Sequence, residues 1–285
     1  MAHAYTPGLK VLHYTVLKKN RRLPIKGDVK KSKGDKVNAD DVIAKTDLPG
    51  NVNMLKVANL LNISPADIHD VLMIKEGDSV NEGDLIAQTE GLFGFFKSDV
   101  RSPISGTIES ISDVTGQIAM REAPMPVEVD AYVGGTVSNV INDEGVIIES
   151  EVAYVQGIFG IGGESRGDLQ VVVDSREKEI TEDLINDSHS GKILVGGSFI
   201  SLDAFKKAIG LNVKGIVVGG FNYFDLEDIL GYTLGVAITG TEDLVTSLIV
   251  TEGYGNIKMS ERTFNLLKSH DGKFVSINGA TQIRA

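Results

Sequence analysis

Polar residues gathered behind glycine, at the ends of short apolar runs, are the side chains best spaced for chemistry in this chain. Gly196-Gly197-Ser198, Gly219-Gly220 with Asn222, Gly240-Thr241 and Thr251-Glu252-Gly253 each close a run of the type KILV, GIVV, GVAIT or SLIV. In an open α/β sheet, ligands sit outside the carboxyl ends of the strands. If the four ends align, Gly197, Ser198, Gly220, Asn222, Gly240, Thr241, Thr251 and Glu252 form one rim, with Thr239 beside them. Such a rim suits a small phosphate- or nucleotide-like ligand. Glycine after a parallel strand is also ordinary turn chemistry, so a ligand site and a plain turn both fit.

The densest glycine cluster, GIFGIGGESRG at 157–167, offers backbone N–H groups to an anion. It fails the dinucleotide fingerprint, which needs glycine or alanine at Ser165, and it lacks the Gly-Lys-Ser/Thr of a P-loop. A hinge or tight crossing between domains is the preferred reading, with Glu164 and Arg166 as an exposed pair of little energetic weight. The five histidines, His3, His13, His69, His189 and His270, share no metal-ligand spacing, so no metal site is expected. Zero cysteines exclude disulfides, thiol catalysis and cysteine-ligated clusters. No nucleophile elbow or Ser/His pairing stands out, so no catalytic residue is assigned, and Glu252 or Asp225 as acid–base groups would rest on nothing further.

The elements that position these residues fall into two rhythms. From about 20 to 160, short alternating runs are separated by Gly, Pro, Asp and Asn, which predicts β structure. Residues 51–70 interrupt it with VNMLKVANLLN and Ser64-Pro65-Ala66-Asp67, a pattern for two short helices. From Leu169, the apolar runs LQVVVD, KILVGGSF, GIVVGGF, GVAITG, SLIVTEGYG and KFVSING flank three helical patterns. These are SLDAFKKAIG, FDLEDILGY and MSERTFNLLKSH. The expected fold is therefore α+β and multidomain: a β-rich domain over 1–160 with a helical insert at 51–70, then an α/β domain over 161–285 with a mostly parallel sheet.

The β half contains a repeat. GDKVNADDVIAKTDLPG from Gly34 and GDSVNEGDLIAQTEGLFG from Gly77 share G-D-x-V-x-x-x-D-[VL]-I-A-x-T-[DE], and SPISGTIESIS from Ser102 parallels AYVGGTVSNVI from Ala131. Repeats of this kind predict either one elaborated barrel or two interleaved ones.

The same residues resemble the barrel-sandwich hybrid fold of biotinyl and lipoyl domains. Gly77, Asp78, Val80, Gly83 and Asp84 match the first part of that pattern, and Pro103, Gly106 and Ile108 the last. The resemblance implies a hairpin with a modified lysine. Counting forward places it at Leu92, counting back from Pro103 places it at Phe95, and Lys97 is off register. In the second hairpin, EAPMPVEVDAYVGGTV is similar to the biotin-acceptor pattern A-M-K-M-x-x-x-V-x-A-x-x-x-G-x-V. With Val129, Ala131, Gly135 and Val137 in register, Met125 falls on the second methionine and Pro124 on the modified lysine. Proline has no amine to acylate, so no biotin or lipoyl cofactor is expected. The G-D-x-V turn followed by SPISGTI also resembles the N-terminal barrel of the C subunit of the Rnf complex and of the A subunit of the sodium-pumping NADH:quinone reductase. Only the barrel carries over, because the clusters of Rnf C subunits need cysteines and no flavin-attachment sequence is visible.

Composition bounds the partners. Net charge is −11, yet between Lys10 and Lys36 ten Lys or Arg face only Asp28 and Asp35, leaving about −19 for the rest by the same counting. That segment suits nucleic acid, anionic lipid or an acidic partner, or else forms a solvated edge or an internal clamp onto the acidic body. It lacks the interleaved aromatics of a single-strand platform, so nucleic acid is not the expected partner. No window of 18 apolar residues is present, so no membrane span is expected. The N-terminus lacks a secretory pattern, so a cytoplasmic location is expected. The apolar tip Leu92-Phe93-Gly94-Phe95-Phe96 marks a contact surface or a cap on its own barrel. The composite expectation is a non-catalytic scaffold or adaptor, self-associating or docked on a protein partner through Leu92, Phe93, Phe95 and Phe96. The alternative is a ligand-binding subunit or enzyme acting through the glycine-ended rim.

Overall fold

Apolar side chains of this chain collect into three separate cores, and the strands sort into units around them. The computed structural model describes residues 9–89, 97–230 and 244–280. The first unit opens with β1 (Val11–Arg22), β2 (Asp28–Val29), β3 (Lys36–Val37) and β4 (Val42–Leu48). The chain then leaves for a second unit of β5 (Val52–Leu55), α1 (Val57–Leu61), α2 (Ile68–Val71), β6 (Ser79–Val80), β7 (Leu85–Gln88), β8 (Asp99–Arg101), β9 (Gly106–Ser112) and β10 (Gln117–Glu122). It returns to complete the first unit with β11 (Met125–Asp130), β12 (Gly135–Ile141) and β13 (Gly145–Val155). Strand β11 pairs antiparallel with β4, and β13 lies between β1 and β12.

The repeat seen in the sequence is thus two units, one inserted into the other, each with its own core. Val37, Ile43, Ala44, Val137 and Ile148 pack in the first, and Val80, Ile86, Ala87, Ile108 and Met120 take the corresponding places in the second. The turns that feed them are built alike. Gly34 donates its N–H to Val137 O at 2.8 Å, and Gly77 donates to Ile108 O at 2.8 Å. Val137 and Ile108 return the bond to Asp35 O and Asp78 O, both at 2.9 Å. Both glycines hold positive φ, +95° and +89°, which only glycine enters without cost. The aspartate after each closes its turn, Asp35 accepting from Ser32 N–H at 2.8 Å and Asp78 from Lys75 N–H at 2.9 Å.

The third unit is one mixed sheet with helices. Its strands are β14 (Phe159–Ile161), β15 (Glu164–Val171), β16 (Ile193–Val195), β17 (Gly215–Phe221), β18 (Ser247–Tyr254) and β19 (Phe274–Asn278), with α3 (Leu202–Gly210), α4 (Tyr223–Leu230) and α5 (Glu261–Lys268). The order is β14-β18-β17-β16-β15-β19, parallel through the four central strands and antiparallel at both edges. The sheet curls until its edge strands approach each other, where a Cβ on Gly160 of β14 would collide with the backbone of Gly279 just past β19. Strand β17 is buried throughout, as expected of a strand covered on both faces. Helices α3 and α5 start at serine caps whose side chains accept from the Ala204 and Thr263 N–H groups. GVAITG, expected as a strand, lies outside the described residues. Among the described residues no helix is long and apolar enough to cross a membrane.

Candidate functional site

The carrier resemblance directs attention to two hairpins. In the first unit, β4 and β11 run in register as far as Leu48 and Met125. Pro124, aligned with the modified lysine, lies one residue beyond that last pair and is exposed. No turn closes this hairpin. Residues 49–124 leave through its open end, so the whole second unit stands where a carrier hairpin would have its tip. In the second unit, β7 and β8 pair through Gln88 and Asp99, and Thr89 donates its N–H to Ser98 O at 2.9 Å. The tip residues Leu92, Phe93, Phe95 and Phe96 lie outside the described residues, and Lys97 beside them is exposed.

The glycine-ended rim assembles in part. The ends of β16, β17 and β18 do fall side by side, which brings Gly197, Ser198, Gly220, Asn222, Thr251 and Glu252 to one edge. Gly240 and Thr241, with Thr239, lie outside the described residues. The described glycines there serve close backbone packing. A Cβ on Gly197 would strike the backbone of Ser175, Arg176 and Lys178, and one on Gly220 would strike Gly255 O. Polar groups at this edge are taken up internally as well. Ser198 Oγ donates to Glu177 O at 2.8 Å, Glu252 Oε1 accepts from Ser260 N–H at 2.8 Å, and Asn222 Nδ2 donates to Asp225 Oδ1 at 3.0 Å. Thr251 Oγ1 donates to Val218 O at 3.3 Å. Two crossing segments, 175–178 and 255–259, therefore occupy the place a ligand would take.

The glycine cluster at 157–167 is likewise used by the fold. Gly162 and Gly163, with φ of +94° and +63°, turn β14 into β15. Glu164 and Arg166 do not pair with each other, contrary to expectation. They belong to an ionic cluster that joins the third unit to the first. Arg21 clamps Glu164 through Nη1 at 2.7 and 3.0 Å, and it reaches Asp130 through Nη2 at 3.0 Å and Nε at 2.8 Å. Lys19 lies 2.9 Å from Glu164, and Arg166 bridges Asp130 at 2.7 Å and Asp40 at 2.5 Å. The Tyr132 ring lies beneath Lys19 and Arg21, 4.6 and 5.3 Å from its centroid. Ser276 Oγ donates to Tyr132 O at 2.6 Å, tying β19 to the same point. Burial, with Glu164 close by, pushes the Tyr132 hydroxyl well above the usual range. Burial also works against the Glu164 carboxylate, but Lys19 and Arg21 outweigh it and hold its pKa below the ordinary glutamate value.

The basic segment follows the clamp reading along most of its length. Lys18, Lys19, Arg21, Arg22, Lys26, Lys30 and Lys31 each lie within ion-pair distance of an acid of the same chain. One buried titratable group escaped the sequence reading. His189 sits 4% exposed, with Nδ1 accepting from Asn186 N–H at 3.2 Å and Nε2 facing the Gln170 amide at 3.2 Å. Burial lowers its pKa, so it stays neutral and locks its short helix in a capping box. The only signal for it was Asn186 followed three residues later by a side chain able to reach back. Beside it, Asp168, Gln170, Lys192 and Asp271 line a shallow depression of about 260 Å³, where Lys192 donates to Gln170 Oε1 at 2.7 Å. Among the described residues no group of three His, Asp or Glu converges on a metal position. Neither a family model, a curated protein nor a solved structure matches the chain.

Proposed function

We propose that the chain is a non-catalytic scaffold or adaptor, built on two barrel-sandwich units of the biotinyl and lipoyl kind that carry no prosthetic group. One observation carries the reading: at the end of the first hairpin, where a carrier lysine would stand, the chain has Pro124 and the entry into a second folded unit. An acyl bond to biotin or lipoate requires a primary amine on a free tip, and this position has neither. The matched turns at Gly34 and Gly77 support a common origin for the two units. Docking runs through the second hairpin, with Leu92, Phe93, Phe95 and Phe96 proposed as the contact from their sequence alone. The rim of the third unit speaks less for a ligand, since a phosphate- or nucleotide-like molecule there would have to displace the backbone of 175–178 and 255–259.

Light scattering of the purified chain, alone and as the double variant Phe93→Ser and Phe95→Ser, tests the docking role. A multimer or stable complex that the double variant dissolves is expected. A monomer whose hydrodynamic size the variant leaves unchanged contradicts it.

A further inference from the structure

Among the described residues, the second unit is joined to the first by the two strands that enter and leave it. Their apolar cores share no residue. Among the described residues, no ion pair and no side-chain hydrogen bond joins residues 10–48 or 125–156 to 51–121. The neck itself is built to interrupt its own ladder. Cross-strand pairing runs to Leu48 and Met125 on one side and resumes with Glu122 N–H donating to Asn51 O at 3.0 Å on the other. Between them stand Pro49 and Pro124, one on each strand. Proline has no N–H, so neither strand can donate across the gap at that residue. Pro49, Ala123 and Pro124 are all exposed, so no packing stiffens the gap.

The bracing of the neck lies wholly on the far side of the prolines. Arg121 Nη1 donates to Gly50 O at 3.1 Å, and the Glu122 carboxylate accepts from Asn51 and Asn53 at 3.2 and 2.9 Å. A Cβ on Gly50 would collide with Glu122 O, which holds these two strands close together. Those contacts fasten the root of the second unit to itself and not to the first. The opposite junction, between the first and third units, has Arg21, Arg166, Asp130, Glu164 and Ser276 across it.

We infer that the second unit, residues 50–122, swings as a rigid body about a two-stranded proline hinge at 49 and 123–124, while the first and third units move as one. Units without a sizeable shared interface reorient freely by default, and two connecting strands restrict that freedom to bending more than to twisting. The inference goes beyond the adaptor reading and does not depend on it. A carrier that swings a prosthetic group and an adaptor that swings a docking tip would show the same hinge.

The 285-residue chain has no cysteine, so spin labels can be placed at chosen positions alone. Lys26, Val114 and Lys206 are exposed in the first, second and third units. Pulsed electron–electron distance measurements on Lys26→Cys/Val114→Cys and on Lys26→Cys/Lys206→Cys compare the two junctions directly. A distance distribution several-fold broader for 26/114 than for 26/206 is expected. Equal widths, whether narrow or broad, overturn the inference, because the neck would then be no looser than the ionic junction. A second pair of measurements adds Pro49→Thr and Pro124→Val, which restore both missing donors, and should narrow only the 26/114 distribution. This outcome is separate from that of the adaptor test, which reads assembly and not internal distance.

Discussion

The first and second units share their turn chemistry and core positions yet differ in what holds them. The first is fastened on one side by Arg21 and Arg166 to the third unit, and its hairpin ends in another folded unit. Among the described residues the second has neither tie, and only residues 89–98 separate the two strands of its own hairpin. A repeated framework thus occurs in two settings: one copy, the base, carries the inserted unit and the ionic junction, and the other is the unit inserted. The lesson is that local turn chemistry sets the unit's fold, while long-range charge and the point of insertion set its role.

The comparison can be broken most severely by removing the second unit. Replacing 49–124 by Asn-Gly joins the cross-strand partners Leu48 and Met125 with a two-residue hairpin turn. The first and third units are expected to remain folded, with the thermal transition of the second unit missing from calorimetry. Collapse of the whole protein would show that the base depends on its attachment.

Next in size are matched core truncations. Ile43→Ala and Ile86→Ala each remove a fully buried side chain and should cost about 2–5 kcal/mol. Calorimetry should show Ile86→Ala lowering only the second unit's transition, and Ile43→Ala only that of the base. A single transition shifted equally by both would erase the distinction between the units.

The ionic junction sharpens the contrast at lower cost. Arg21→Met leaves Glu164 and Asp130 partly unpaired and should destabilise the base by about 2 kcal/mol in urea unfolding. The matched change Arg121→Met in the second unit removes an exposed pair with Glu109 and one bond to Gly50 O, and should cost less, about 1 kcal/mol. Acid acts on the same cluster. Because the folded Glu164 pKa lies below its unfolded value, its contribution is fully present above the unfolded value of about 4.3 and is lost as pH falls through the folded one. Below about pH 4 the 26/206 spin-label distribution is therefore expected to widen ahead of any loss of strand structure. A distribution that stays narrow until the strands unfold would remove Glu164 from the junction.

Smallest are the turn aspartates. Asp35→Ala and Asp78→Ala each delete one carboxylate–backbone bond and should cost about 1 kcal/mol, in the first and second unit respectively. Unequal losses would mean that the matched geometry hides different energetics.

Local features were the readable ones. The G-D-x-V turns, the helical patterns that form α3 and α5, and the apolar runs of β16 to β18 are encoded within a few residues, so periodicity and turn chemistry expose them. The strand content of the β half and the mixed, largely parallel sheet follow from the same signals. The choice between one barrel and two was not legible, because it depends on whether Leu48 pairs with Met125, far away in sequence. The basic half of the ionic cluster was legible as a clamp, but its partners were missed for a related reason: Glu164 and Arg166 sit two apart on one strand and look like a pair, whereas β15 sends each to acids and bases of the first unit. At the rim, glycine-ended strands fitted both an open ligand edge and plain turns, and the segments that cross them come from loops with no periodic signature.

The central claim is that the framework of a carrier persists without its cargo. Mass spectrometry of the denatured 285-residue chain tests it most directly, after expression in a cell that holds active biotin and lipoyl ligases. The account predicts the mass of the bare 285-residue chain, with no lysine modified on peptide mapping. A covalent increment of biotinyl or lipoyl size, on Lys97 or any other lysine, would contradict it.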